Sequence, residues 1–274
     1  MTADRRPGAA VGLVAAAHPL PTAAVTGFAA GYAFVVGLRG PALALLALAV
    51  LCGQLAVGWT NDWLDADLDT EAGRTDKPIA VGTVSRPAVG AAAVLAAACC
   101  LPLSLALGLW PGLLHLVAVA VALGYDAGLK SGPLSPLPYL VSFGLLPAVV
   151  STAFDRTLPP PGVVLAAGLL GVAAHFANTV PDAVADAATG VRGLPQRIGP
   201  VASLRVTAVG VGLAALVLVA GAAHRRPAAV TLLIAGAVLA GVGVPLSARV
   251  SVRSVFRLTL LAVGLVVAGF LVAA

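Results

Sequence analysis

Apolar runs of roughly membrane length, separated by short polar breaks, repeat along the whole chain. A spanning helix needs about 20 mostly apolar residues. On that measure the pattern predicts nine: Thr22–Leu38, Pro41–Trp59, Pro87–Gly108, Gly112–Tyr125, Pro136–Phe154, Gly162–Asn178, Ser203–Ala223, Ala228–Ala248 and Val255–Ala274. The fourth is short, but it can extend toward Lys130, whose long side chain snorkels to an interface. No polar segment is long enough for a separate soluble unit, so residues 1–274 read as one domain. The expected fold is all-α, a polytopic bundle of nine transmembrane helices.

Composition agrees with that pattern. The chain is 60% hydrophobic and 10% charged, with a mean hydropathy of +1.03, which fits a bilayer and not a soluble domain. The net charge of +5 does not indicate a nucleic-acid partner, because the cations stand singly or in pairs between apolar runs and form no basic face. Cys52, Cys99 and Cys100 all fall in apolar stretches without metal-ligand spacing and read as packing residues. Arg5 and Arg6 precede an apolar run as in a signal peptide, yet later segments are equally apolar, so the run reads as a retained helix.

With nine spans the termini lie on opposite sides, and Lys/Arg bias sets the orientation. If the N-terminus is cytoplasmic, only Arg39, Arg156, Arg225 and Arg226 of the 16 Lys and Arg are outside. Asp155 is then the sole external acid among eleven. Acids contribute little to orientation, so their gathering on one side needs another cause. Most sit in two predicted cytoplasmic loops, residues 60–86 after helix two and 179–202 after helix six.

In the first loop, "NDWLDADLDT" sets Asn61, Asp65 and Asp69 on an i, i+4, i+8 ladder, with Asp62 on the same face and Asp67 turned to solvent. The second, "NTVPDAVAD", repeats the spacing with Asn178, Asp182 and Asp186, and His175 joins that stripe. Cations trail both ladders, Arg74 and Lys77 after the first, Arg192 and Arg197 after the second. Carboxylates that crowd one face repel one another unless a cation sits among them. Magnesium is usually held by one or two carboxylates plus substrate phosphates, with Arg or Lys taking the remaining phosphate charge. The pattern therefore suggests a Mg²⁺–diphosphate clamp above helices able to house a hydrocarbon tail. Solvated turns with surface ion pairs explain one such ladder, but the duplication with trailing cations argues against that explanation. A cation transporter would hold its acids near the bilayer midplane, whereas these lie at one edge.

The residues Asn61-Asp62-Trp63-Leu64-Asp65-Ala66-Asp67-Leu68-Asp69 resemble the NDxxDxxxD motif, and Asp182-Ala183-Val184-Ala185-Asp186 the DxxxD motif, of the UbiA superfamily of intramembrane prenyltransferases. The resemblance covers nearly the whole chain. It implies a nine-helix bundle with active-site loops after helices two and six. It also implies Mg²⁺-dependent transfer of a prenyl group from a polyprenyl diphosphate to an aromatic or other lipophilic acceptor. Carried over by position, Asn61, Asp62, Asp65, Asp69, Asp182 and Asp186 hold metal and diphosphate, with Asp65, Asp69, Asp182 and Asp186 catalytic. Arg74, Lys77, Lys130, Arg192 and Arg197 neutralise phosphate oxygens. The family's YxxxK element reads Tyr125-Asp126-Ala127-Gly128-Leu129-Lys130 here, one residue longer, with Tyr125 as cation stabiliser.

Tyr125, His175, Asn178 and His18 are the candidate substrate contacts, while His115, His224 and the aromatics Tyr32, Phe28, Tyr139, Phe143 and Phe176 read first as structural. The alternative on the same scaffold is a membrane terpene cyclase, which quenches the cation within its own chain. The expected setting is a prokaryotic cell membrane, with membrane lipid and the two substrates as partners.

Overall fold

The computed structural model describes residues 8–180, 190–222, 226–246 and 252–274. Every regular element among them is helical. In chain order they are α1 (Ala9–Ala16), α2 (Pro19–Val36), α3 (Gly40–Glu71), α4 (Arg86–Ala106), α5 (Leu109–Asp126), a 3₁₀ turn (Leu129–Ser131), α6 (Pro136–Asp155), α7 (Pro161–Thr179), α8 (Leu194–Ile198), α9 (Pro200–Ala222), α10 (Pro227–Leu246) and α11 (Val252–Ala273). Seven helices, α2 to α7 and α9, are long and apolar enough to cross a membrane. Among the described residues, α10 and α11 carry the shorter apolar stretches Pro227–Val242 and Leu261–Ala273.

Proline marks many of the starts. Pro19, Pro41, Pro87, Pro136 and Pro161 each occupy the first or second helical position, where a missing N–H costs nothing because it has no intrahelical acceptor. Consecutive helices pack side by side, α3 against α2, α4 and α5, α6 against α5 and α7, and α9 against α7 and α10. The last helix, α11, returns to α2 and closes the bundle. Close approach depends on small residues: a Cβ on Gly171 of α7 would lie 2.5 Å from the Tyr139 carbonyl oxygen and 2.7 Å from Phe143 Cβ on α6. The buried centre is built from residues such as Leu46, Val50, Val149, Val150 and Val211. Many large apolar side chains, Leu20, Val94 and Trp110 among them, point outward, as they do where lipid is the solvent.

The clearest departure from the sequence reading is α3. The chain after Trp59 was expected to leave the helix at residue 60, yet α3 runs on without a break to Glu71. Its 32 residues span about 48 Å at 1.5 Å per residue, well beyond a hydrocarbon core of about 30 Å. Hydropathy ends a span where charges begin, but a helix that has left the membrane no longer needs apolar residues. Here the polar turns are held by side-chain bonds. Asn61 Nδ2 donates to Asp65 at 3.2 Å, and the Thr70 hydroxyl to the Ala66 carbonyl at 2.7 Å. The helix stops at Gly73, whose φ of 64° suits glycine, with the Arg74 amide donating back to the Asp69 carbonyl. The first acidic motif thus rides on a rigid helix end and not in a loop.

Candidate functional site

One face of α3, continuing into its projecting part, carries Gln54, Gly58, Asn61, Asp65 and Asp69. Steps of four, three, four and four residues return to the same side of a helix, and this stripe forms one wall of a cavity of about 560 Å³. The opposite walls come from His18 and Val25, from Tyr125 and Asp126 at the end of α5, and from Tyr139 and Phe143 of α6. Arg74, Lys77 and Lys130 rim the mouth. The cavity is therefore charged at the end of α3 and apolar or aromatic farther into the bundle.

Each acid at the mouth already has a basic partner. Lys130, on the 3₁₀ turn, forms an ion pair with Asp65 Oδ1. Lys77 donates to Asp62 Oδ1 at 2.7 Å and stands 3.9 Å from Asp69. Burial works against the Lys77 ammonium, but the Asp62 and Asp69 carboxylates outweigh it and raise its pKa above the ordinary lysine value. Arg74 holds Asp76 through two bonds of 2.8 and 2.7 Å, and that guanidinium keeps the Asp76 carboxyl down at about 2. Asp67 is exposed and paired with Arg86, away from the cavity, as its wheel position predicts.

Asp62 behaves differently from its ladder neighbours. It is 2% exposed, does not line the cavity, and accepts hydrogen bonds from His18 at 2.9 Å and from Lys77. His18 reaches it because the residue stands at the α1–α2 corner with φ 50°, a left-handed conformation that costs a non-glycine residue energy and is kept where the surroundings enforce it. The Asp62 carboxylate thus sets the direction of Lys77 and His18.

The aromatic wall is a contiguous cluster. Tyr125 meets Tyr139 edge-on at 5.2 Å and His175 at 5.6 Å, and Tyr139 stacks on Phe143 at 5.9 Å. His175 itself is 1% exposed and lies behind the wall, with its Nε2 at 3.0 Å from the Ser135 hydroxyl. That hydroxyl also accepts the Leu194 amide, so His175 and Ser135 tie α7 to the start of α8.

A charged mouth above an aromatic pocket, with the NDxxDxxxD stripe along one wall, agrees with the comparisons. The family model described as the UbiA prenyltransferase family matches residues 19–248. The chain belongs to that family. It is an integral, multi-pass membrane protein of the UbiA fold. A UbiA homologue from Aeropyrum pernix K1 aligns over 92% of this chain and 97% of its own at 23% identity, with a TM-score of 0.72. A UbiA homologue from Archaeoglobus fulgidus, bound to GPP and Mg²⁺, aligns over 96% and 99% at 14% identity, TM-score 0.74. A digeranylgeranylglyceryl phosphate synthase aligns over 96% and 97% at 15% identity, TM-score 0.71. No curated protein matches the chain.

Among the residues singled out from sequence, the UbiA-type cavity gathers Asn61, Asp65, Asp69, Arg74, Lys77, Lys130, Tyr125, Asn178 and His18. Lys130 is at the acids despite the extra residue after Tyr125. Asp62 and His175 stand one layer back. Arg192 and Arg197 are exposed and do not line the cavity; the Arg197 Nε donates to the Arg192 carbonyl. Asp182 and Asp186, like His224, lie outside the described residues. Sequence reading passed over Asp126 and Gln54. Asp126 had a usable signal, since it precedes Lys130 by four residues at the end of an apolar helix; Gln54 had one as well, seven residues before Asn61 on the same stripe.

Proposed function

We propose that the chain is a Mg²⁺-dependent prenyltransferase that moves a prenyl group from a polyprenyl diphosphate to an aromatic or other lipophilic acceptor within the membrane. The observation that carries this reading is the shape of the cavity. Its mouth holds Asp65, Asp69, Lys77 and Lys130, and its interior is lined by Val25, Tyr139 and Phe143, matching the charged head and apolar tail of one molecule. The family and the GPP- and Mg²⁺-bound relative point the same way.

The donor set suits magnesium in kind, being carboxylate and amide oxygens. Among the described residues no three acids, histidines or cysteines are grouped to hold a metal on their own. The ion would therefore sit between Asn61, Asp65, Asp69 and phosphate oxygens, with Asp182 and Asp186 proposed to complete it. When bound, magnesium supplies Lewis-acid neutralisation of charge on the leaving diphosphate. Lys130 and Lys77 now neutralise carboxylates; in this reading they shift to phosphate oxygens, with Arg74 beside them and Arg192 and Arg197 approaching from the second motif. The allylic carbon–oxygen bond then lengthens, and the faces of Tyr125, Tyr139 and Phe143 stabilise the cationic carbon through their quadrupoles. The apolar interior excludes water from that carbon. The acceptor's nucleophilic atom bonds to it and loses its proton, with His18 and Asn178 of the cavity lining and, behind the wall, His175 as the proposed polar contacts. We place residues 1–274 in one nine-helix domain of a prokaryotic cell membrane, with the N-terminus and both acidic motifs cytoplasmic.

The test is incubation of the micelle-purified protein with Mg²⁺ and dimethylallyl, geranyl or geranylgeranyl diphosphate, with and without membrane lipid and aromatic acceptors, read by mass spectrometry. An adduct of acceptor plus prenyl group that requires Mg²⁺ is expected, and Asp65→Ala is expected to cut its rate about 10³-fold. A hydrocarbon or terpene alcohol formed without acceptor makes the protein a cyclase. Failure to consume any of the three diphosphates sinks both readings.

A further inference from the structure

Asp126 is an acid of the cavity wall outside both motifs and on a different helix from the first ladder. It ends α5, is 5% exposed and lines the cavity. Its Oδ1 accepts a hydrogen bond from Asn61 Nδ2 at 2.9 Å, while its Oδ2 is buried without a hydrogen-bond partner among the described residues. A carboxyl oxygen left without a donor in the interior costs stability, so packing does not account for Asp126. Its geometry with Asn61 does.

The Asn61 amide nitrogen donates twice, to Asp126 and, at 3.2 Å, to Asp65 Oδ2. Two protons are all that nitrogen has. The opposite rotamer would set the amide oxygen against both acidic side chains, so chemistry fixes which end faces them. The other end, Oδ1, has no hydrogen-bond partner among the described residues, and it belongs to a residue that lines the cavity. A divalent cation takes the oxygen of an asparagine and never its NH₂ group. We infer that Asp126 is a positioning residue: by holding the Asn61 nitrogen, it turns the Asn61 oxygen toward the metal–diphosphate position. This rests on the reading of that position as a Mg²⁺–diphosphate site, and Asp126 acts through Asn61 without touching the ion. Partners that orient a ligand typically matter 10- to 100-fold in metal affinity.

The experiment titrates Mn²⁺, followed by its EPR signal, into micelle-purified full-length protein with saturating inorganic diphosphate, where no turnover occurs. Asp126→Leu is expected to weaken Mn²⁺ binding about 10- to 100-fold, and Asp126→Asn, whose carbonyl still accepts from Asn61, about 3-fold or less. In an Asn61→Ala background, Asp126→Leu is expected to add nothing, an outcome that a merely structural role would not give. Asp126→Ala replaces the leucine variant if melting shows that the latter is unfolded. Unchanged Mn²⁺ affinity in Asp126→Leu overturns the inference. So does an Asp126→Asn loss as large as that of Leu, which would make the carboxylate a direct ligand. If the wild type fails to bind Mn²⁺ in the presence of diphosphate, the site reading falls and takes the inference with it.

Discussion

Two polar nests lie inside this apolar bundle, toward opposite ends of α5. In one, the Ser104 hydroxyl is 2.8 Å from His115 Nδ1 and donates to the Cys100 carbonyl at 2.6 Å; Ser104 is fully buried and His115 4% exposed, and neither touches the cavity. In the other, Asn61, Asp65, Asp126 and Lys130 form a chain of contacts along the cavity wall. Both nests satisfy polar groups that would otherwise be costly in a membrane. The first is closed, with short bonds between helices and a backbone carbonyl. The second is open: its Lys130–Asp65 ion pair lines the cavity, and the Asp126 Oδ2 has no hydrogen-bond partner among the described residues. Openness toward a cavity, and not polarity, separates a site from a structural hydrogen bond.

The largest effect expected from that contrast is at Lys130. If its ion pair with Asp65 is a resting state that gives way to phosphate, Lys130→Met should raise the KM for the prenyl diphosphate and lower kcat/KM about 10²-fold, equivalent to ~2.7 kcal/mol. Lys130→Arg should recover part of the loss, since it keeps the charge but not the point geometry. Steady-state kinetics over a range of diphosphate concentrations measures this. Loss confined to stability, with KM unmoved, would place the open nest in the same class as the closed one.

Much of this was legible from residue order, and the reasons for the rest are specific. The span of each apolar run and the i, i+4, i+8 ladder are local properties, so Asn61, Asp65 and Asp69 came out on one face without coordinates. The continuation of α3 to Glu71 was hidden because hydropathy reports the membrane boundary and not the helix end. The pairing of Asp62 with His18 joins residues 44 apart, and nothing in either neighbourhood announces it. Asp126 carries a weak local signal, four residues before Lys130, but its role depends on the Asn61 nitrogen, 65 residues away along the chain. The layer-back position of His175 similarly depends on Ser135, 40 residues away.

A middle-sized effect is expected at the closed nest. In His115→Leu the Ser104 hydroxyl keeps its bond to the Cys100 carbonyl, so no buried donor is orphaned, and the loss is one hydrogen bond, about 1 kcal/mol. The melting temperature in micelles should fall while turnover per folded molecule stays at the wild-type value. A change in KM or kcat would show that the two ends of α5 are coupled and that the contrast is too simple.

The smallest effect belongs to Asp76, which tests the rim between nest and solvent. Hydrogen bonding by Arg74 holds its folded-state pKa at about 2, below the ordinary aspartate value of 3.8. A depressed carboxyl contributes stability that is fully present above its unfolded pKa and is lost as pH falls through the folded one. The window is therefore from about 4 down to about 2, and nothing changes across the neutral range. The Asp76 side chain is 63% exposed, so solvent screening reduces the contribution to less than about 1 kcal/mol. The wild-type and Asp76→Asn proteins should differ slightly in melting temperature by the same amount at pH 7 and pH 5, and converge near pH 2. A difference that opens or closes between pH 5 and pH 9 would mean that another titrating group sets the rim's charge, and that the mouth rearranges with pH instead of waiting for its anionic ligand.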